Sequence, residues 1–179
     1  MNITVSGLAA TGKDSVAKLL AKKLGYKHHS AGQLQRQLAK EQGLTITEWG
    51  ELEKKDPKYD KLVDSRTAEL LKTKEKIVFD CWMVPPEAKD HALKIFLECE
   101  ENERARRRLQ QKRPTEKFKS FEEVIKDMRQ RVQTNRERWI NYYNHDFLDL
   151  SNYDFVIDTT KLTVEQVAGK ILEFIKDFS

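Results

Sequence analysis

A chain of 179 residues is long enough to bury a sizeable core within one compact domain, and its 35% charged residues are those of a soluble protein. The net charge of +4 is too mild to demand a nucleic-acid partner, because an enzyme that handles phosphate also collects basic residues. No stretch approaches the roughly 20 apolar residues needed to span a membrane. The N-terminal run Ile3-Thr4-Val5 has no basic leader before it, so a cytoplasmic location is expected. Cys81 and Cys99 lack metal-ligand spacing and read as free thiols of a reducing compartment.

The chain opens on a short apolar run, Ile3-Thr4-Val5, of the kind that forms a buried parallel strand. A glycine-bounded loop, Gly7 to Lys13, follows, and then a helix whose apolar face is Val16, Leu19, Leu20 and Leu24, closed by Gly25. A weaker strand is expected around Tyr26 to His29. The stretch 33–71 is polar and helix-like, broken at Asp56-Pro57. Two more strands are expected at Ile77-Val78-Phe79 and at 93–97. The stretch 100–143 is again helical, with a polar loop at 112–120 that carries Pro114. A last strand, Phe155-Val156-Ile157, precedes a helix striped by Val164, Val167, Ile171, Leu172 and Ile175. Strands alternating with helices predict βαβ units, hence a three-layer α/β fold with five parallel strands between helices. The two polar helical stretches stand outside that alternation and read as insertions over the edge where ligands bind. No linker divides the chain, and one domain over 1–179 is expected.

Gly7-Leu8-Ala9-Ala10-Thr11-Gly12-Lys13 matches G-x-x-x-x-G-K between a strand and a helix, the context in which that pattern cradles a nucleoside triphosphate. Small residues let successive backbone N–H groups face phosphate oxygens, and the helix N-terminus adds partial positive charge. Lys13 supplies a mobile cation for the β and γ phosphates. The pattern calls for Ser or Thr next, to ligate Mg²⁺; here Asp14 stands there, followed by Ser15. A carboxylate is a good hard-cation ligand and also suits a first helical turn, so Asp14 either joins the metal site or points away from it. Asp80, ending the strand Ile77-Val78-Phe79, is the second candidate metal ligand.

These residues, with three further groups, resemble the nucleoside monophosphate kinases, and among them the archaeal-type cytidylate kinases. Ser30-Ala31-Gly32-x-x-x-Arg36 is similar to the start of that family's monophosphate-binding helix, where the arginine clamps the acceptor phosphate. Asp56-Pro57-x-x-Asp60-x-x-x-Asp64-x-Arg66 follows its acidic helix, associated with the pyrimidine nucleotide. Ser151-x-Tyr153-Asp154 through Thr159 resembles its last strand. Arg131 and Arg138, seven residues apart and so on one helical face, fall where the family has lid arginines. The resemblance implies a helical monophosphate-binding insertion at about 31–72 and a lid at about 104–140. It also implies ATP as co-substrate with Mg²⁺, small nucleotides as partners, and a monomer. Ser30, Gly32, Arg36, Asp64 and Arg66 would bind the acceptor, CMP or dCMP, while Lys13, Arg131 and Arg138 would serve the transferring group.

The match has one clear departure. The family continues its third strand with Gly-Arg after the acid, and that arginine contacts the acceptor phosphate; here the chain reads Asp80-Cys81-Trp82-Met83. Trp82 either joins the core or stacks on an acceptor base. Ala10 replaces a common glycine, and His28 and His29 are read as shaping a strand end, without chemistry. The lid stretch also carries Arg104, Arg106, Arg107, Arg108, Arg113, Arg129 and Arg136, most of them expected on solvated faces. Two other readings stay open on sequence alone. One is a P-loop kinase for another small acceptor; the other is a nucleotide-binding regulatory or assembly protein with decayed transferase activity.

Overall fold

The computed structural model describes residues 1–111, 118 and 120–178. Its strands are β1 (Asn2–Gly7), β2 (Lys27–Ser30), β3 (Ile77–Cys81), β4 (Ala92–Glu98) and β5 (Phe155–Asp158). They pair in parallel in the order β2-β3-β1-β4-β5. β1 and β3 are buried along their whole length, as strands covered on both faces must be. Period-two alternation then sorts their side chains. Ile3, Val5 and Val78 face a core built with Val16, Ala17 and Leu20 of α1 (Lys13–Leu24) and Val167, Ala168 and Ile171 of α7 (Val164–Phe178). Ile77, Phe79 and Cys81 face the other way, onto Ala68 and Leu71 of α4 (Pro57–Thr73). Helices therefore cover both faces of the sheet.

The first insertion forms three helices, and each boundary has a local cause. α2 (Ala31–Glu41) stops at Gly43, whose φ of 69° is left-handed, while the Leu44 N–H returns to the Ala39 carbonyl at 2.9 Å. α3 (Ile46–Glu53) starts on a capping box in which Thr45 and Glu48 satisfy each other's backbone N–H groups. α4 starts with Asp56 as N-cap and Pro57 in its first turn. The Gly43 break was not expected from the sequence, which signalled only the one at Asp56-Pro57. Trp49, fully buried, anchors this unit with Leu38, Ala39 and Val63, and its indole N–H donates to Glu53 at 2.8 Å.

The second insertion comprises α5 (Glu101–Gln110) and α6 (Phe121–Tyr143), packed through Ala105, Val124 and Met128. The expected polar loop with Arg113 and Pro114 lies outside the described residues, apart from Phe118 and Ser120. Among the described residues no helix is long and apolar enough to cross a membrane.

Candidate active site

β1 is the pivot of the site. It pairs with β3 on one side and β4 on the other, so the sheet's connections diverge there and leave a crevice at the strands' C-terminal ends. The loop from Gly7 to Gly12 rises out of that crevice. Gly7 has a φ of 151°, and a Cβ on it would lie 2.7 Å from the Leu97 carbonyl oxygen, so the tight exit from β1 admits only glycine. Gly12 caps α1 at a φ of 93°. Ala10 also stands in the left-handed region, at a φ of 65°. Thr11 closes the loop on itself, its hydroxyl donating to the Leu8 carbonyl at 3.0 Å, and Lys13 Nζ folds back to the same oxygen at 3.2 Å. From outside, Arg107 braces the loop by donating to the carbonyls of Thr11 (3.3 Å), Thr159 (2.8 Å) and Thr160 (3.2 Å). Nothing in the sequence separated Arg107 from its neighbouring arginines.

The register pairs Val5 with Asp80, which sets that carboxylate beside the root of the loop. Asp80 is 5% exposed and accepts from His28 Nε2 at 2.8 Å and from the Ser30 hydroxyl at 3.2 Å. Burial pushes its carboxyl above the usual range, against the opposing pull of the His28 hydrogen bond. Asp14 is exposed and pairs with Lys18 at 2.8 Å, while Ser15 is exposed beside it. One ligand atom each from Asp14, His28 and Asp80 lies within 4.8 Å of the others. Two carboxylates with a third donor fit a divalent cation, so the two expected metal ligands are brought together and His28 joins them. Sequence alone assigns His28 no chemistry, since its partner is 52 residues away on the neighbouring strand.

Of the residues expected to bind the acceptor, Arg36 is exposed and lays its guanidinium over Gly32, where a Cβ would meet Nη1 at 3.7 Å and the Ser30 hydroxyl at 3.8 Å. Ser30, Gly32, Arg36 and Asp80 thus form one cluster at the end of β2. Across the cleft, α4 meets α6. Arg138 Nη2 donates to Asp60 at 3.1 Å, and the Tyr143 hydroxyl donates to Asp64 at 2.7 Å. Burial raises both carboxyls, Asp60 to about 7 and Asp64 to about 6, with Arg138 opposing the shift at Asp60 and the Tyr143 hydrogen bond opposing it at Asp64. Asp60 Oδ2, Arg138 Nε and Trp139 Nε1 are buried with no hydrogen-bond partner among the described residues, an arrangement that a polar ligand would complete. Arg66 is not drawn into this group; it pairs with Glu69 at 3.2 Å on the exposed face of α4.

Trp82, where the resemblance leads one to expect an arginine, packs against Trp139 and Phe147, with ring centroids 6.3 and 6.0 Å away. Lys13 Nζ and Arg131 Cζ both lie over its ring, 5.7 and 5.8 Å from the centroid. Four other described arginines of α5 and α6 are engaged elsewhere: Arg129 with Glu101, Arg136 with Asp146, Arg106 with Glu103 and Arg104 with the Cys99 carbonyl. Cys81 is buried, and burial pushes its thiol up to about 12, while Cys99 is half-buried.

A glycine-bounded phosphate loop between a central parallel strand and its helix, with an acid at the end of the next strand, defines a P-loop kinase. The fold is similar to that of shikimate kinase from Bacteroides thetaiotaomicron, with a TM-score of 0.68 at 18% identity over 98% of each chain. The sequence matches the cytidylate kinase family model over residues 54–177. It is 34% identical to the cytidylate kinase of Methanosarcina barkeri, over 93% of this chain and 92% of that one. To that of Pyrococcus abyssi it is 37% identical, over 92% and 88%. The chain belongs to the cytidylate kinase family, and is thereby a nucleoside monophosphate kinase.

Proposed function

We propose that the chain, as one kinase domain over 1–179, transfers the γ-phosphoryl group of ATP to CMP or dCMP. The observation that carries this reading is the convergence of two clusters on one crevice. The phosphate loop with Lys13 lies on one side; Ser30, Arg36, Asp64, Asp60 and Arg138 lie on the other, Asp60 and Arg138 each with one buried unpartnered atom. The relatives named cytidylate kinase support the choice of acceptor.

The chemistry asks little of the protein beyond positioning and charge. A phosphate oxygen of the acceptor attacks the γ-phosphorus of ATP as the bond to the β-phosphate bridging oxygen breaks, and ADP leaves. The backbone N–H groups from Gly7 to Ser15 and the Lys13 ammonium hold the donor phosphates. Arg36 fixes the acceptor phosphate bidentately, next to Ser30. Arg131 and Arg138 close over the transferring group, meet its developing charge and exclude water that would hydrolyse ATP. Asp14 and Asp80 would hold Mg²⁺ with His28 beside them; bound there, the ion would neutralise charge on the phosphate oxygens. Arg66, paired with Glu69 in the free chain, would reach the acceptor only by leaving that partner. The enzyme would act on free nucleotides as a cytoplasmic monomer.

A coupled phosphotransfer assay with ATP, Mg²⁺ and a panel of CMP, dCMP, UMP, AMP, GMP and dTMP tests this, run beside Lys13→Ala. Turnover on the cytidine monophosphates that Lys13→Ala abolishes is the expected result. Turnover confined to another acceptor, or none with ATP binding intact, overturns it.

A further inference from the structure

Trp82 stands where the resemblance leads one to expect an arginine, and its ring lies beside two of the cations that the proposed mechanism needs. We infer that Trp82 is a positioning residue for phosphoryl transfer: its indole ring holds the Lys13 ammonium and the Arg131 guanidinium together in the cleft. The inference rests on the proposed kinase function.

Three observations support it. The first is placement: Lys13 comes from the first turn of α1 and Arg131 from the middle of α6, and their charged groups lie 5.7 and 5.8 Å from one ring centroid. Both distances are within the roughly 6 Å over which a ring quadrupole attracts a cation. The second is electrostatic. Two like charges gathered in a cleft before a triphosphate arrives repel each other. A further anion between them would hold them by charge and compete with the substrate, whereas a neutral ring attracts both without adding charge of its own.

The third is rigidity. Trp82 is held by Trp139 (68° between ring planes), itself 5.1 Å from Phe147, and this cluster includes Leu8 of the phosphate loop and Val132 and Tyr143 of α6. A ring fixed by aromatic neighbours on the lid helix can orient two long side chains that would otherwise sample many rotamers. The missing arginine is thus offset by orientation of cations already present rather than by new charge.

The test replaces Trp82 by a series that separates the ring's electrostatics from its bulk. Trp82→Phe keeps a ring of weaker quadrupole, Trp82→Leu keeps apolar volume alone, and site-specific mono-, di- and trifluorotryptophan at 82 weaken the quadrupole at nearly constant shape. We expect kcat to fall stepwise with fluorination and on the order of tenfold or more in Trp82→Leu, with a smaller loss in Trp82→Phe, while KM for CMP moves little. ATP affinity by calorimetry is expected to weaken in the same order. Flat kcat and ATP affinity across the fluorinated series, with loss in Trp82→Leu matched by loss of thermal stability, would reduce Trp82 to packing and overturn the inference. If the unsubstituted chain turns over no monophosphate, the kinase reading fails, and the calorimetric series still decides whether the ring orders Lys13 and Arg131.

Discussion

Arg138 on α6 and Asp60 on α4 form an ion pair at 3.1 Å with side chains 15% and 7% exposed, and it joins the two insertions. Each partner keeps one buried polar atom without a hydrogen bond among the described residues, so the pair is half satisfied until something enters. Removing one member strands the other's charge in a dry site, which is the costly way to break a buried pair. Asp60→Ala is therefore expected to lose about 3 kcal/mol of stability in urea denaturation near pH 6, and less as pH rises through about 7, where burial makes the ionised Asp60 carboxyl costly. Arg138→Lys keeps a cation for Asp60 but not a planar fork for phosphate. It should retain most of the stability and lose on the order of a hundredfold in kcat. Equal loss of stability in both variants would count against this division of roles.

The carboxyl of Asp64, raised to about 6 by burial, gives a pH prediction with a definite sign. An acid whose pKa is higher in the folded chain binds its proton more tightly there. Its contribution is present below the unfolded value near 3.8 and is lost as pH rises through about 6. Asp64→Asn removes this titration and keeps an acceptor for the Tyr143 hydroxyl. The stability of the wild type relative to Asp64→Asn should decline between pH 4 and about 7 and level off above that, read by thermal melts across the range. A difference that rises with pH would reverse the sign and refute the burial argument.

What was legible in the sequence is what local rules decide. The strand at Ile3-Thr4-Val5, the loop to Lys13 and the Val16-Leu20 face could be placed because period and glycine spacing act within a few residues. Asp56 and Pro57 announced the start of α4 for the same reason. The Gly43 break did not stand out, since a glycine in a polar helical stretch costs only about 1 kcal/mol and is often tolerated. The association of His28 with Asp80, of Tyr143 with Asp64, and of Arg107 with Thr11 and Thr159 depends on tertiary register, across 52, 79, 96 and 52 residues. No single-sequence pattern encodes those meetings. Trp82 was visible as a departure, but its two cations come from separate helices and were not.

Ala10 provides a test of the loop itself. At a φ of 65° an alanine Cβ crowds the following carbonyl, a cost of roughly 1–2 kcal/mol that glycine does not carry. Glycine gives back part of that gain through the freer unfolded chain. Ala10→Gly is expected to give a net gain in stability of about 0.5–1 kcal/mol, seen as a higher urea midpoint at unchanged slope. A lower midpoint would mean that the left-handed geometry at Ala10 is relaxed in solution.

His28 is the residue whose role the metal chemistry should reveal. In the free chain it donates to Asp80, and with Asp14 it completes a set of two carboxylates and one imidazole within 4.8 Å. Oxygen donors satisfy Mg²⁺, which takes imidazole poorly, whereas Mn²⁺ accepts a mixed set. His28→Ala should therefore weaken Mn²⁺ binding by about tenfold, followed by the loss of the free-ion signal in electron paramagnetic resonance, and change Mg²⁺ affinity much less. Asp80→Asn should weaken both ions. If His28→Ala leaves Mn²⁺ affinity where it was, the imidazole only orients the Asp80 carboxylate. Mg²⁺ and Mn²⁺ affinity falling together would instead show that Asp80 needs His28 to face any cation at all.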